Sequence, residues 1–243
     1  MLTVRFDRLG LGPGSTLLDV GCGGGRHIGE TRRMPGVSAI AVDIGEPEVQ
    51  GSRRHLQELD ALGAPLGGSV PNAGPWACMR ASVYELPFAD QCFDCVILSE
   101  VLEHLHQDQR ALVEIGRVLK HRGILALSVP REGPEVVCWA LSHQYRNTPG
   151  GHLRIYRRAR LRAMLEAQGY RIFDSHFAHA LHAPWWWLKC LVGLDNDKSK
   201  LVSKYHELLV WDMMKKPWVT RTLEAALDPF IGKSVVFYGL KDF

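Results

Sequence analysis

Short apolar runs alternate with helical patterns along the chain and predict a layered fold. The runs TLLDV (16–20), VSAIAVDI (37–44), WACMRA (76–81), FDCVILS (93–99) and RGILALSVP (122–130) predict five strands. These runs lack strict apolar–polar alternation, and helical segments separate them. Such strands are typical of a parallel sheet that helices cover on both faces.

Helical periodicity marks several segments between these strands. Residues 46–63 are predicted to form one helix, and residues 158–170 another that ends at Gly169. Residues 107–123 carry apolar side chains at helical spacing, and Gly123 is expected to end that helix. A short helix is expected to begin near Gly25, directly after the first strand.

The C-terminal part of the chain has a different pattern. Residues 171–180 and 233–242 predict two more strands, and the long segment between them is aromatic with helical spacing, enough for two or three helices. The predicted fold is therefore α/β, a doubly wound and mostly parallel seven-stranded sheet. Residues 1–243 are expected to form a single domain with a helical insertion before the last strand.

Composition and charge are those of an ordinary globular protein. The chain has 243 residues, of which 46% are hydrophobic and 23% charged, and its formal net charge is +3. This charge is too small to indicate nucleic acid as a partner, and the basic run at 154–162 fits a solvated helix face better. No apolar run reaches the ~18 residues needed to span a bilayer.

Two further features bear on where the protein works. The N-terminal segment carries Arg5, Asp7 and Arg8 and lacks the apolar stretch of a signal peptide. The six cysteines are scattered in a chain too large to need disulfides, so we expect reduced thiols and a cytoplasmic location. The CFDC motif of Cys92 and Cys95 overlaps a predicted buried strand, which favours chance spacing over redox chemistry.

The most informative stretch is LLDVGCGGGRHIGE, which joins the first strand to the next helix. Gly21, Gly23 and Gly25 follow a strand that contains Asp19, and glycines allow a sharp turn that presents backbone N–H groups to a ligand. Asp43 ends the second strand, where an acid can accept hydrogen bonds from both hydroxyls of a ribose. The pair of features indicates a nucleoside-containing ligand; the alternative is a tight turn beside a solvated acid.

The order of the motifs resembles one protein family. LLDVGCGGGRH, AVDI, ASVYELPFADQCFDCVILSEVLEHL and EIGRVLKHRGILALSVP are similar to successive motifs of class I S-adenosylmethionine-dependent methyltransferases, in particular the bacterial group that includes quinone-biosynthesis enzymes. The similarity extends over residues 14–170. It implies a Rossmann-like methyltransferase fold, S-adenosylmethionine as the cofactor and methyl transfer as the activity.

The resemblance implies which residues contact the methionine part of the cofactor. The loop that starts at Asp19 and runs through Gly21, Gly23 and Gly25 is expected to lie against it. The backbone at Ser99 is expected to face the methionine amino group.

The resemblance also implies the nucleoside side of the site. Asp43 is expected to bind the ribose, Ile44 to pack on the adenine, and Ser82 and Val83 to border the adenine edge. Many relatives have aspartate where this chain has Ser82. A serine hydroxyl can still accept a hydrogen bond from the adenine amino group, but it is neutral and shorter.

The segment SEVLEHLHQD after the fourth strand is the first candidate for acid–base chemistry. A helical turn would place Glu100, Glu103 and His104 on one face, where they could hold a divalent ion such as Mg²⁺ or Mn²⁺. Such an ion would lower the pKa of a bound hydroxyl. Some relatives with E-x-x-E-H here resemble metal-dependent enzymes and others do not, so pocket residues without a metal and a structural role stay open.

His152, in the loop TPGGHLRIY, is the second candidate base. This loop reaches the acceptor side in the family, although a surface histidine is the alternative reading. A hydroxyl acceptor has to lose its proton as the methyl group moves. Glu100, His104 and His152 are therefore the predicted catalytic residues, and the sequence slightly favours a histidine base over a metal ion.

The aromatic segment at residues 181–232 is expected to form a Trp-rich lid over the acceptor. Only residues 1–15 precede the first strand, too few for the helices that cover the acceptor in many relatives. Aromatic faces can stack on flat rings or sugars or pack on lipid tails, so we expect a small, lipophilic or saccharide acceptor. The alternative is that these side chains form the core of the insertion or a homodimer interface.

Two other functions stay open. An NAD(P)-dependent oxidoreductase would share the glycine loop and Asp43, but the dinucleotide pattern G-x-G-x-x-G needs a glycine where Arg26 stands. A non-catalytic cofactor-binding partner subunit would not need the polar cluster at 100–104.

Overall fold

Seven strands form a single sheet in the computed structural model, which describes residues 2–64, 68–196, 199–215 and 217–242. The strands are β1 (Thr16–Val20), β2 (Ser38–Asp43), β3 (Trp76–Arg80), β4 (Phe93–Ser99), β5 (Leu119–Pro130), β6 (Tyr170–Ala178) and β7 (Ser234–Lys241). Their order in the sheet is β3-β2-β1-β4-β5-β7-β6. β1 to β5 pair in parallel, and β7 runs antiparallel to both β5 and β6. The predicted doubly wound, mostly parallel seven-stranded sheet is confirmed.

Helices cover the sheet on both faces. The α-helices are α1 (Glu46–Leu62), α2 (Asp108–Val118), α3 (Glu132–Leu141), α4 (His143–Arg146), α5 (Arg158–Ala167), α6 (His182–Val192), α7 (Lys200–Lys215) and α8 (Trp218–Ile231). Neighbouring residues of one strand enter opposite apolar clusters, Leu17 with Leu56 of α1, and Leu18 with Leu112 of α2. Burial on both faces explains why the strands lack alternation. None of the described helices is long and apolar enough to cross a membrane.

The helix predicted over residues 107–123 is wrong at its C-terminal end. α2 stops at Val118, and β5 begins at the next residue. The carbonyls of Arg117 and Val118 accept hydrogen bonds from the backbone N–H groups of Gln91 and Cys92, so the chain joins the sheet here rather than continuing the helix. The short helix expected near Gly25 is a 3₁₀ segment that starts later, at Ile28–Arg33.

The structure contains the predicted insertion in its C-terminal region, and two helices between β5 and α5 that were not predicted. α6, α7 and α8 lie between β6 and β7, and Ala178 at the end of β6 pairs with Ser234 at the start of β7. The insertion therefore leaves and re-enters the sheet at adjacent points. The unpredicted helices are α3 and α4, and α3 packs against α6. All six cysteines are free.

Candidate active site

The carboxyl ends of four parallel strands, β1 to β4, border an open cleft of about 460 Å³, here called the strand-end cleft. Ligands of open α/β sheets bind at this edge. A larger groove of about 780 Å³ lies beside α5, away from every predicted site residue. The strand-end cleft is lined by these predicted residues: Gly21, Asp43, Ile44, Ser82, Val83, Glu100 and His104.

Gly21 is the first residue after β1 and has the left-handed backbone angle φ +70°. Its N–H donates to the carbonyl of Val42, which anchors the turn to β2. A Cβ atom at this position would lie 2.3 Å from Cγ2 of Val101. Both the backbone angle and the approach of Val101 therefore require glycine here.

Asp43 fixes the glycine loop to the end of β2. Its Oδ2 accepts a hydrogen bond from Gly23 N–H at 3.0 Å, and its Oδ1 accepts one from Gly45 N–H at 3.0 Å. Each carboxylate oxygen can accept more than one hydrogen bond. The side chain also lines the strand-end cleft, so it can accept further hydrogen bonds from ligand hydroxyls.

Asp19 lies beneath the glycine loop and does not line the cleft. Its side chain is 1% exposed, and Oδ2 accepts a hydrogen bond from the Ile28 N–H at 3.1 Å. Burial raises the pKa of Asp19 to about 7, although the Ile28 hydrogen bond opposes this shift. Asp19 thus joins the strand to the 3₁₀ segment that follows the loop. Gly25 is likewise outside the lining of the cleft, next to Ser52 of α1.

Asp19 should make the stability of the protein depend on pH. The folded state holds the Asp19 proton up to about pH 7, whereas the unfolded state releases it near pH 4. The contribution of Asp19 to the free energy of unfolding should therefore fall by about 4 kcal/mol between these pH values and then level off. Asp19→Asn keeps an oxygen for Ile28 but cannot ionise, so it should be more stable, relative to the wild type, at pH 8 than at pH 5.

Denaturant unfolding of both proteins at the two pH values measures this effect. The informative quantity is the difference between variant and wild type, because all other titrating groups cancel in it. The same difference at pH 5 and at pH 8 would contradict a buried, protonated Asp19.

The side of the cleft next to β2 and β3 is apolar. Ile44 leaves 63% of its surface exposed although it is a large aliphatic residue, and Val83 opposite is buried. An exposed aliphatic side chain in a cleft is a natural partner for a flat ring. The Ser82 hydroxyl accepts a hydrogen bond from Tyr84 N–H at 3.3 Å. This hydroxyl still has a lone pair and a proton for a ligand.

The end of β4 is held by a chain of hydroxyl groups. Ser99 is buried, and its hydroxyl lies 2.9 Å from that of Ser128, which donates to Glu100 Oε1 at 2.8 Å. Glu100 has φ +57°, a rare angle for a residue other than glycine. This conformation places Glu100 before the 3₁₀ turn Leu102–His104 rather than on a regular helical face with Glu103. Ser99 itself does not line the strand-end cleft.

A second cleft, of about 370 Å³, lies on the insertion side of His104 and is here called the aromatic cleft. It is lined by His152 of the glycine-rich loop, Trp186 of α6 and Lys233, which precedes β7. The Lys233 ammonium lies 5.4 Å from the centre of the Trp186 ring. His104 lines both clefts, so it stands where they meet.

The two histidines are oriented by acceptors on their Nδ1 atoms. His104 Nδ1 lies 2.9 Å from the carbonyl of Gly150, and a carbonyl can only accept, so this nitrogen carries the proton. His152 Nδ1 lies 2.5 Å from the carboxylate of Glu135. In both rings Nε2 is therefore the atom with a free lone pair, available for a proton or a metal ion.

Glu103 is buried next to these histidines without a hydrogen-bond partner. Its side chain is 1% exposed, and both carboxylate oxygens lack partners among the described residues. Burial, and next the charge of Glu100, raise the pKa of Glu103 well above its ordinary value. Ligand atoms of Glu103, His104 and His152 all lie within 4.8 Å of one another. The predicted metal set of Glu100, Glu103 and His104 therefore differs from this group, which contains His152 instead of Glu100.

Glu135 is a site residue that the sequence analysis missed. It lies in α3, is 2% exposed, and accepts hydrogen bonds from Trp139 and from the hydroxyl of Tyr145 as well as from His152. No motif marks it, because its link to His152 is formed only by folding.

Comparison with known proteins identifies similar sequences and folds. Residues 18–127 match the family described as Methyltransferase domain. The chain is 32% identical over 121 residues to the O-methyltransferase resE of Aspergillus sclerotiorum, and 30% identical over 130 residues to a ubiquinone biosynthesis O-methyltransferase of Hahella chejuensis. These matches cover 50% and 53% of this chain but only 42% and 49% of the relatives, less than half of their length.

The fold extends the similarity beyond the matched sequence. A chain from the complex between the Haloferax volcanii Trm112 methyltransferase activator and a methyltransferase superposes with a TM-score of 0.63 at 18% identity. The superposition covers 98% of this chain and 86% of that chain. At this identity the likeness concerns the fold alone.

Proposed function

We propose that residues 18–127, which match the family described as Methyltransferase domain, form a class I S-adenosylmethionine-dependent methyltransferase, and that the protein methylates a hydroxyl of a small, lipophilic or saccharide acceptor. The observation that carries the proposal is the position of His104, which lines both the strand-end cleft and the aromatic cleft. A group shared by two clefts can act on an acceptor atom where that atom meets the methyl donor. The O-methyltransferases among the relatives support a hydroxyl as the acceptor.

The strand-end cleft is the proposed cofactor site. S-adenosylmethionine supplies a methyl group that the sulfonium charge activates. Asp43 accepts hydrogen bonds from the ribose hydroxyls, Ile44 packs on the adenine, and Gly21 lets the loop approach the cofactor. Ser82 and Val83 border the adenine. The loop and strand end that face the methionine part are held by Asp19, Gly23, Gly25 and Ser99.

The aromatic cleft is the proposed acceptor site, and residues 181–232 are its cover. Trp186 of this segment stacks edge-on with Trp185 and with Tyr145, at ring distances of 5.0 and 5.7 Å. A rigid aromatic wall binds flat or lipophilic molecules and excludes water from the transfer. The six free cysteines support a reducing, cytoplasmic setting for this reaction.

A divalent ion at Glu103, His104 and His152 is the second part of the proposal. A buried carboxylate without a partner costs free energy, and a metal ion would give Glu103 the missing contact. Two imidazoles and one carboxylate are ligands that Mn²⁺ accepts, and Mg²⁺ is the alternative. Such an ion lowers the pKa of a bound hydroxyl. Glu100, which lines the strand-end cleft next to His104, is then the residue that takes the proton.

Calorimetry with the two candidate cofactors tests the reaction class. The protein should bind S-adenosylmethionine and should not bind NAD. Binding of NAD alone would replace the proposal by an oxidoreductase. Labelled S-adenosylmethionine with fractionated cell extract, followed by mass spectrometry of the labelled product, then identifies the acceptor; binding without any transfer would favour the non-catalytic subunit.

Chelation should stop methyl transfer. EDTA is expected to abolish product formation, and added Mg²⁺ or Mn²⁺ to restore it. Metal binding should be measured separately, by titrating Mn²⁺ into the protein. Glu103→Gln and His152→Ala should each weaken Mn²⁺ binding by about 10- to 100-fold.

Glu100→Gln is the matched control for the ligand set. It changes a neighbouring carboxylate that lies outside the group, so Mn²⁺ affinity should stay nearly unchanged. Full transfer in EDTA, together with a loss of transfer in His104→Ala, would instead assign His104 Nε2 as the base that acts without a metal.

A further inference from the structure

In helix α8 the charged side chains face the protein and the large apolar side chains face the solvent, the reverse of an ordinary surface helix. Its charged residues point inward, where Glu224 is buried and Arg221 pairs with both Glu224 and Asp212 of α7. Asp228 accepts a hydrogen bond from Ala180 N–H at 2.9 Å. A helix on the surface of a globular protein normally turns such residues to water. The face of α8 that is exposed to solvent carries large apolar side chains instead.

Exposed apolar side chains are concentrated where α7 ends and α8 begins. Four residues there form what we call the apolar corner: Trp211, Met214, Trp218 and Val219, which are 47%, 77%, 77% and 54% exposed. A contiguous exposed apolar patch marks a site of contact with a partner or a membrane. Tryptophan is the residue type enriched where a protein meets the water–lipid boundary.

The charges beside the apolar corner have one dominant sign. The exposed charged side chains of α7 are Lys200, Lys204, Lys215 and a single acid, Glu207. By their spacing all four lie on the same side of the helix as Trp211, and the three lysines outweigh the one glutamate there. The acids nearest the corner, Asp212 and Glu224, are turned inward and paired with Arg221. A net positive charge beside an apolar surface that bears tryptophan complements an anionic lipid surface.

We propose that the apolar corner docks this protein on the surface of an anionic lipid bilayer. A second copy of the chain fits the same surface less well, because a two-fold contact would bring together two surfaces of the same net positive charge. Lipid headgroups carry the opposite charge, and acyl chains can take up Trp218 and Met214 without any matched shape. The inference goes beyond the proposed methyl transfer and does not depend on it.

Sedimentation of the full-length protein with lipid vesicles tests the proposal. Vesicles in which about a third of the lipid is phosphatidylglycerol should carry the protein down, and pure phosphatidylcholine vesicles should carry down much less. Met214→Ser with Trp218→Ser should weaken binding to anionic vesicles at least about tenfold. Lys215→Gln should weaken it about fivefold on anionic vesicles alone.

Val113→Ser is the matched control, since Val113 is 57% exposed on α2 and away from the corner. It should leave vesicle binding unchanged. Equal binding to neutral vesicles, or no binding to either kind, would overturn the proposal. A dimer in ultracentrifugation that Trp218→Ser disperses would assign the corner to a second copy instead.

Discussion

Replacing Asp43 by alanine should weaken S-adenosylmethionine binding by about 2–4 kcal/mol, because the variant loses the two charge-assisted hydrogen bonds that we propose Asp43 accepts from the ribose. The same carboxylate accepts hydrogen bonds from Gly23 and Gly45, so the variant also loosens the loop beside the cleft. Calorimetry with S-adenosylmethionine, on a protein whose folding has been checked by its circular dichroism, measures the loss.

A deoxyribose analogue separates the ribose contact from the loop effect. The wild type should bind 2′-deoxy S-adenosylhomocysteine more weakly than S-adenosylhomocysteine. The expected difference is about 1.5–3 kcal/mol, which is what a hydrogen bond to a charged group typically contributes. In Asp43→Ala the two ligands should bind equally. A penalty of the same size in both proteins would mean that Asp43 shapes the loop and does not contact the ribose.

The strand-end cleft, where we propose that the cofactor binds, could be predicted because its parts are local in sequence. The strand TLLDV, the glycine turn at Gly21 and the acid at Asp43 each belong to a short strand–loop unit whose geometry follows from a few adjacent residues. Parallel pairing of β1 with β2 then brings Asp43 next to the glycine loop. The sequence analysis did not predict the order of the strands, because alternating strands and helices restrict the topology without fixing it.

The aromatic cleft could not be predicted in the same way. His104, Glu135 and His152 come from three separate segments and meet through one hydrogen bond and one edge-on pair of rings, whose centres are 5.0 Å apart. The E-x-x-E-H spacing suggested a regular helical face, but Glu100 adopts φ +57° and bonds to Ser128 of β5. Tertiary hydrogen bonds overrode the local helical preference there, as they did at the end of α2.

Substituting Gly21 by alanine should reduce S-adenosylmethionine affinity on the order of 100-fold, about 2.7 kcal/mol. Alanine at φ +70° is strained, which costs about 1–2 kcal/mol. Its Cβ would also lie 2.3 Å from Cγ2 of Val101, a stiff β-branched side chain that cannot rotate away freely. The loop or Val101 must move, and both line the strand-end cleft. Calorimetry with S-adenosylmethionine measures the loss.

Two companion variants separate the clash from the backbone strain. Gly24→Ala lies in the same loop, lacks the left-handed angle and has no atom within 4 Å of an added Cβ, so affinity should hardly change. Val101→Ala in the Gly21→Ala background removes Cγ2, and the nearest remaining atom, Cβ of residue 101, lies at an ordinary 3.4 Å. The double variant should regain roughly tenfold in affinity while the backbone strain of about 1–2 kcal/mol persists. If Val101→Ala restored no S-adenosylmethionine affinity to the Gly21→Ala variant, the contact with Val101 would not be the reason that this turn requires glycine.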